Sequence, residues 1–283
     1  MGRIGNQLFQ YSFLRGISLK LNYPICLPKK NDLIFHGQHF LLKKFNLNCE
    51  FSDEIKPNNF YKEEMPNVYD ERVFESLDNT SFEGYFQNLK YFDFARDYLI
   101  NEFTLDSKYI KKAEQILSSQ RRENEPLLIS FHIRRGDHFL RRKLFTKSYG
   151  LKIYGSKSRF DKNSPFGKYF LEVKNYYIDK NVKFLVFSGG SRTNPNDIDK
   201  LWLEDTFKDL NYEILSTDDP LLDFELMKKC DANVLSYGSS FGWWAAYLNQ
   251  VSKEKIIAPH NYFLHLGTQN QNSNLFNERF LLL

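Results

Sequence analysis

Leu127-Leu128-Ile129-Ser130-Phe131-His132-Ile133-Arg134-Arg135-Gly136-Asp137 is an apolar run that ends in two arginines, a glycine and an aspartate. The run follows a proline, has the length of an interior parallel strand and precedes a glycine that permits a sharp turn. We therefore expect a buried strand with its charged residues at the carboxyl end. In open α/β sheets, ligands bind outside that end of the strands.

Two arginines at such a position indicate a ligand that carries phosphate. The planar guanidinium group matches phosphate oxygens bidentately, and an imidazole, His132, lies beside Arg134 and Arg135. A nucleotide is the ligand that this pattern favours. The alternative is that both arginines leave a sheet edge for water and that Asp137 is their ion-pair partner.

Three stretches of the chain, taken in order, resemble the α-1,2-fucosyltransferases of glycosyltransferase family 11. Residues 132–137 (HIRRGD) resemble the family's H-x-R-R-G-D motif, which has counterparts in α-1,6- and protein O-fucosyltransferases. The other two stretches are residues 2–11 (GRIGNQLFQY) and residues 238–248 (GSSFGWWAAYL). Together they extend over nearly the whole chain.

The resemblance implies an α/β, GT-B-like fold with two Rossmann-type domains that face a cleft. We place an N-terminal acceptor-side domain at residues 1–124 and a C-terminal GDP-fucose-binding, Rossmann-like domain at residues 125–283. The boundary follows a charged helix expected over residues 105–123 and precedes Pro126, which together make the best linker.

The start of the chain departs from the family pattern. In the family a strand precedes the glycine loop, and animal members also carry a membrane anchor upstream; neither stands before this loop here. Either the gene model is truncated or the first strand of the N-terminal sheet is supplied otherwise.

The activity that the resemblance implies is transfer of fucose from GDP-fucose to the 2-hydroxyl of a galactose residue in a glycan, with inversion. GDP leaves with growing negative charge, so a cation must stabilise it. Arg134 is expected to do so at the β-phosphate, and Asp137 is the favoured catalytic base, with His132 and Glu83 as alternatives. The Asp-x-Asp at residues 197–199 follows Asn-Pro in an expected polar loop, so we expect no metal and no other cofactor.

The remaining predicted site residues bind the donor. A helix N-terminus presents unpaired N–H groups that hold phosphate or sugar hydroxyls. Two such turns are expected here, a glycine loop that opens a helix and a Gly-Ser-Ser turn that opens another, although each turn alone is also an ordinary helix cap. The predicted donor-binding residues are Gly5, Asn6, His132, Arg135, Ser239, Ser240 and Phe241.

A second buried strand is expected at residues 182–188, and it ends in Ser188-Gly189-Gly190. Bacterial relatives often carry Ser-Asp-Asp at this place. The acidic contact is therefore missing, and a nucleotide contact there must come from Ser188 or from the backbone.

Composition excludes several classes of protein. With 283 residues and 42% hydrophobic content the chain can bury a large core, and its net charge of +4 does not demand a nucleic acid. Three scattered cysteines are too few for a disulfide framework. No apolar run approaches the ~20 residues of a membrane span, and the N-terminus is not a signal peptide.

The expected partners are thus GDP-fucose and a galactose-terminated glycan. Two other functions stay open: a fucosyltransferase of another linkage, and a non-catalytic sugar- or nucleotide-binding homologue, which the missing acidic pair would suit. Location is open as well, because animal-type members act in the Golgi lumen and bacterial members in the cytoplasm.

Overall fold

The computed structural model describes residues 2–29, 40–121, 125–135, 149–188, 197–215, 217–264 and 274–283. The chain divides into two compact units, Met1–Asp106 with Ser273–Phe276, and Ser107–Asn272 with Asn277–Leu283. Both units combine helices with parallel strands, so the expected α/β fold class is confirmed.

The N-terminal unit is built around one long helix, α1 (Ile4–Leu21), whose Phe13 ring stacks on that of Phe86 with the centroids 3.7 Å apart. Its strands form two parallel pairs, β1 with β2 and β3 with β4. Short 3₁₀ turns lie at Leu42–Lys44, Glu71–Glu75, Leu89–Tyr91 and Asp93–Ala95. The longer elements are α1 (Ile4–Leu21), β1 (Cys26–Leu27), β2 (Glu50–Phe51), β3 (Asn59–Lys62), β4 (Thr80–Glu83) and α2 (Arg96–Glu102).

The C-terminal unit is a six-stranded sheet in which every neighbouring pair is parallel. Its elements are α3 (Ser107–Gln120), β5 (Leu127–Ile133), α4 (Tyr149–Tyr154), α5 (Pro165–Tyr176), β6 (Val182–Ser188), α6 (Asp197–Phe207), β7 (Tyr212–Leu215), α7 (Pro220–Lys228), β8 (Ala232–Leu235), α8 (Ser240–Tyr247), β9 (Ile256–Ala258) and β10 (Phe280–Leu282).

The strand order is that of a Rossmann fold. Across the sheet it runs β10-β9-β8-β5-β6-β7. If the strands of this unit are renumbered 1 to 6 from β5 to β10 and the sheet is followed from β7, the order is 3-2-1-4-5-6, which is the doubly wound order. The predicted strand over residues 127–133 is therefore the central one, and its six residues from Leu128 onward are buried, as expected for a strand covered on both faces.

The helix expected to link the domains belongs to the C-terminal unit. α3 buries Ala113 and Leu117 and packs against α7. Glu114 also forms an ion pair at 2.9 Å with Lys229, the residue that follows α7. The boundary predicted near residue 124 falls after this helix, whereas the compact units divide before it.

The Asp-x-Asp at residues 197–199 is not in a polar loop. It begins α6, and Asp199 is buried there. The loop prediction was wrong because it relied on the preceding polar residues, whereas the apolar Trp202, Leu203 and Phe207 draw this segment into the core as a helix.

No helix within the described ranges combines the length and the apolar character needed to cross a bilayer.

Candidate functional site

Several predicted site residues of the C-terminal unit, among them His132, Arg134 and Ser239, lie where the strand order of the sheet reverses. After β5 the chain passes to β6 on one side of it, while β8 lies on its other side. The carboxyl ends of β5 and β8 therefore form the topological switch point of the sheet, the place where doubly wound sheets bind their ligands. Arg134 follows β5 directly, and the Ser-Tyr-Gly-Ser turn at residues 236–239 follows β8.

Arg134 is held by three groups from two parts of this unit, the turn after β8 and Tyr154. Its backbone N–H donates to the Ser236 hydroxyl at 3.1 Å, and its carbonyl accepts from the Tyr154 hydroxyl at 2.7 Å. Its Nη1 donates to the Gly238 carbonyl at 3.1 Å. The half-buried guanidinium group therefore lies against the turn that follows β8. This places a fixed cation at the switch point of the sheet.

His132 faces the same turn. Its side chain is 9% exposed, and its Nδ1 shares a hydrogen bond of 2.7 Å with the Ser239 hydroxyl. The Phe241 ring lies at 5.4 Å in an edge contact. Gly242 makes this approach possible, because a Cβ there would lie 3.0 Å from His132 Nδ1.

The N-terminus of α8 completes the site. Gly238 has φ 63°, the left-handed conformation that glycine adopts without strain. Ser239 caps the helix by accepting the Gly242 N–H at 3.2 Å, and the half-buried Ser240 is the first helical residue. The positive end of the helix dipole and the Arg134 charge thus lie at the same turn. Such an arrangement can bind an anion.

Arg135 does not face this turn. It is 1% exposed, pairs with Asp199 and lies over the Trp202 ring at 4.5 Å. Its Nη2 donates to the carbonyls of Ser156, at 3.0 Å, and Lys157. A contact between Arg135 and the donor, as predicted, would require these buried bonds to break, so the geometry gives Arg135 an internal role instead.

Gly5 and Asn6 lie in the first turn of α1, in the N-terminal unit. The Asn6 side-chain oxygen accepts from Gln87 Nε2 at 3.0 Å, and Gln10 donates to the Gly84 carbonyl at 2.7 Å. The first turns of α1 therefore contact the segment at residues 84–87. A contact of Gly5 or Asn6 with the donor stays a prediction.

The catalytic base also stays a prediction. The favoured candidate, Asp137, lies outside the described residues, as does Gly136. Glu83 is exposed and pairs with Lys62 at 3.1 Å in the N-terminal unit. Of the three candidates, His132 is the one that the described residues bring beside Arg134.

Three residues at this site were not predicted. Ser236 and Tyr154 hold the Arg134 backbone, and Tyr262 is buried near Arg134. Burial raises the pKa of Tyr262, and the Arg134 charge opposes that rise. Of the three, only Ser236 could have been found from the sequence, because it is a small hydroxyl residue at the end of a predicted strand.

Ser188, at the end of β6, was named as a possible nucleotide contact. Its hydroxyl donates to the Ile133 carbonyl at 3.0 Å and so joins the ends of β5 and β6. Gly189 and Gly190 lie outside the described residues. Within the described ranges, no group of three or more His, Cys, Asp or Glu side chains is arranged to hold a metal ion.

Comparison with known proteins points to sugar transfer. The model of "Glycosyl transferase family 11" matches residues 162–274. The O-antigen biosynthesis glycosyltransferase WbnK of Escherichia coli is 23% identical over 83% of this chain and 72% of its own length. An alpha-1,2-colitosyltransferase of Escherichia coli is 26% identical over 93% of this chain and 90% of its own length.

Among solved structures, a crystal structure of POFUT1 in complex with GDP-fucose matches 89% of this chain and 93% of that chain, with a TM-score of 0.49 and 12% identity. The resemblance to glycosyltransferase family 11, first carried by three short motifs, is confirmed by the family model and by the two Escherichia coli relatives.

Proposed function

We propose that this chain, which resembles glycosyltransferase family 11, transfers fucose from GDP-fucose to the 2-hydroxyl of a galactose residue in a glycan, with inversion and without a metal ion. The observation that carries the proposal is the meeting of Arg134, His132 and the N-terminus of α8 at the switch point of the sheet. Nucleotides bind at this place in doubly wound sheets.

In the proposed reaction the GDP diphosphate binds at the turn after β8. Backbone N–H groups and hydroxyls at residues 239–241 hold its oxygens, and the helix dipole favours their charge. Arg134 contacts the β-phosphate and stabilises the charge that grows as the glycosidic bond breaks. A guanidinium group does this with two parallel hydrogen bonds, which supports a reaction that needs no metal.

The proposed role of His132 is to bind the donor and not to act in catalysis. Its Nδ1 is engaged by Ser239 and its ring packs against Phe241, so its position depends on the turn that binds the phosphates. We assign it to donor binding, on the ribose or the guanine. Asp137 keeps the proposed role of base, removing the proton of the galactose 2-hydroxyl as that oxygen attacks.

The test is incubation with GDP-fucose and a panel of galactose-terminated acceptors in the presence of a chelator, followed by linkage analysis of the product. The expected product is an α-1,2-fucosylated galactose. Another linkage would identify a fucosyltransferase of a different specificity. Saturable GDP binding without transfer to any acceptor would identify a non-catalytic homologue instead.

A second candidate donor has support from one comparison. The relative that matches 93% of this chain is named an alpha-1,2-colitosyltransferase, so the proposed linkage could be kept with a different sugar. Parallel reactions with GDP-fucose and GDP-colitose separate the two. Preferential use of GDP-colitose would overturn fucose as the donor sugar while leaving the nucleotide site as proposed.

A further inference from the structure

The peptide that joins Arg134 to Arg135 is enclosed by hydrogen bonds from two sides. The Tyr154 hydroxyl donates to the Arg134 carbonyl at 2.7 Å, which is the oxygen of that peptide. Arg135 in turn binds Asp199 of α6 and the carbonyls of Ser156 and Lys157, which follow Tyr154 closely in the chain. Together, Arg134, Arg135, Asp199, Tyr154 and the loop after Tyr154 form a closed ring of contacts that includes this peptide.

The ring lies in the interior of the unit. Tyr154, Trp202 and Arg135 are each 1% exposed or less, and the side chain of Asp199 is 8% exposed. Trp202 covers the flat face of the Arg135 guanidinium group at 4.5 Å. Burial raises the pKa of Asp199 and lowers that of Arg135, and each charge opposes the shift of the other. Each charge therefore stays in the interior because its partner is present.

The ring bears on Arg134 because an arginine side chain has many rotamers and its backbone sets where it can reach. Fixing the peptide after Arg134, together with the Ser236 contact at its N–H, leaves the guanidinium group a limited set of positions. One of them donates to the Gly238 carbonyl. A fixed cation stabilises a developing charge better than a mobile one, since no reorganisation is needed during the reaction.

We propose that Asp199 and Tyr154 are positioning residues for the transfer reaction: through Arg135 and the peptide that precedes it, they fix the guanidinium group of Arg134 for the diphosphate of the donor. The proposal rests on the proposed function. It gives the Asp-x-Asp of this chain a part that involves no metal.

The experiment measures GDP affinity by titration calorimetry, with fucose transfer and melting temperature measured alongside. Asp199→Asn keeps the shape of the side chain and removes its charge. It is expected to weaken GDP binding about 10-fold. In an Arg134→Ala background the same change is expected to weaken binding less than about 2-fold, because there is no guanidinium group left to position.

Tyr154→Phe is the second variant, since it removes a single hydroxyl and keeps the ring in the core. We expect a loss of about 3-fold in GDP affinity, again absent in the Arg134→Ala background. If Asp199→Asn fails to fold, this variant still decides the question.

The matched control is Asp205→Asn on the same helix. The Asp205 carboxylate accepts the Phe160 N–H at 2.8 Å, so it anchors the same loop without touching Arg135. Its GDP affinity is expected to equal that of the wild type. An equal loss in this control, or equal losses with and without Arg134, would overturn the proposal in favour of a general structural role. Failure of the wild type to bind GDP would contradict the proposed function itself, and the inference with it.

Discussion

Gly242→Ala tests whether the packing of α8 against His132 sets the geometry of the donor site. The added Cβ would lie 3.0 Å from both Cβ and Nδ1 of His132 and 3.1 Å from Cγ. Carbon atoms in good contact are about 3.5–4.0 Å apart, so His132 or the helix must move by about half an ångström. The Nδ1 atom that is pushed is the one bonded to Ser239 at 2.7 Å.

The magnitude is a balance of three effects. Alanine is the better helix former by about 1 kcal/mol, which favours the variant. Overpacking of a dense core costs about 1–3 kcal/mol. Loss of the His132–Ser239 hydrogen bond costs about 1 kcal/mol more. We therefore expect Gly242→Ala to lower the free energy of unfolding by about 2 kcal/mol and to weaken GDP binding several-fold.

Urea unfolding and GDP titration measure the two effects. Ser118→Ala on the exposed face of α3 is the control, because there the propensity gain acts without any packing cost. In a His132→Ala background the cost of Gly242→Ala is expected to shrink, since two of the three close contacts are to ring atoms. A variant as stable as the wild type, with unchanged GDP affinity, would refute the reasoning.

Three further predictions concern single side chains. Arg134→Lys is expected to lower the rate of fucose transfer at least ~100-fold, because a point charge cannot reproduce the bidentate fork; near-normal transfer would remove Arg134 from its role. Glu102→Gln leaves the buried Arg15 charge without its partner at 2.6 Å and should cost about 3–5 kcal/mol in urea unfolding, against at most about 1 kcal/mol for Glu83→Gln at the exposed pair. Burial raises the pKa of Asp223 to about 6, so the folded state binds that proton more tightly, and stability should fall by about 3 kcal/mol as pH rises from about 4 to 6; Asp223→Asn should abolish this part of the pH dependence, and an unchanged profile would contradict it.

The C-terminal unit was largely predictable because its central strands are buried on both faces. Such strands read as continuous apolar runs, and the strands over residues 127–133 and 182–188 were found in this way. The chain order of strands and helices then leaves few topologies, and ligands bind at the same place in all of them. The switch point could therefore be located without any contact being known.

The N-terminal unit was less predictable for the opposite reason. Its strands are two to four residues long, and β3 alternates half-buried and exposed residues, with Phe60 64% exposed. An apolar period cannot be recognised in so short a segment. β3 pairs in parallel with β4, from which 17 residues separate it, and the sequence between them gives no sign of that pairing.

Arg134 faces the site and Arg135 faces the interior because side chains alternate between the two faces of a strand. Residues two apart point to the same face, so Arg134 shares a face with His132, and Arg135 shares one with Ile133 and Phe131. The structure bears this out: Ile133 and Phe131 belong to the cluster that contains Tyr154 and Trp202, where Arg135 is buried.

That alternation is visible in the sequence alone, and it is enough to assign the two arginines to opposite faces of the strand. Phe131 and Ile133 are apolar on both sides of His132, so the face that carries His132 and Arg134 is the one with polar groups to offer a ligand. The partner of Arg135 could not be predicted from the strand pattern. Asp199 lies 64 residues further on, in a helix whose position depends on the packing of Trp202. A strand pattern can therefore tell which arginine faces the site, whereas the carboxylate that neutralises the other one is set by tertiary packing.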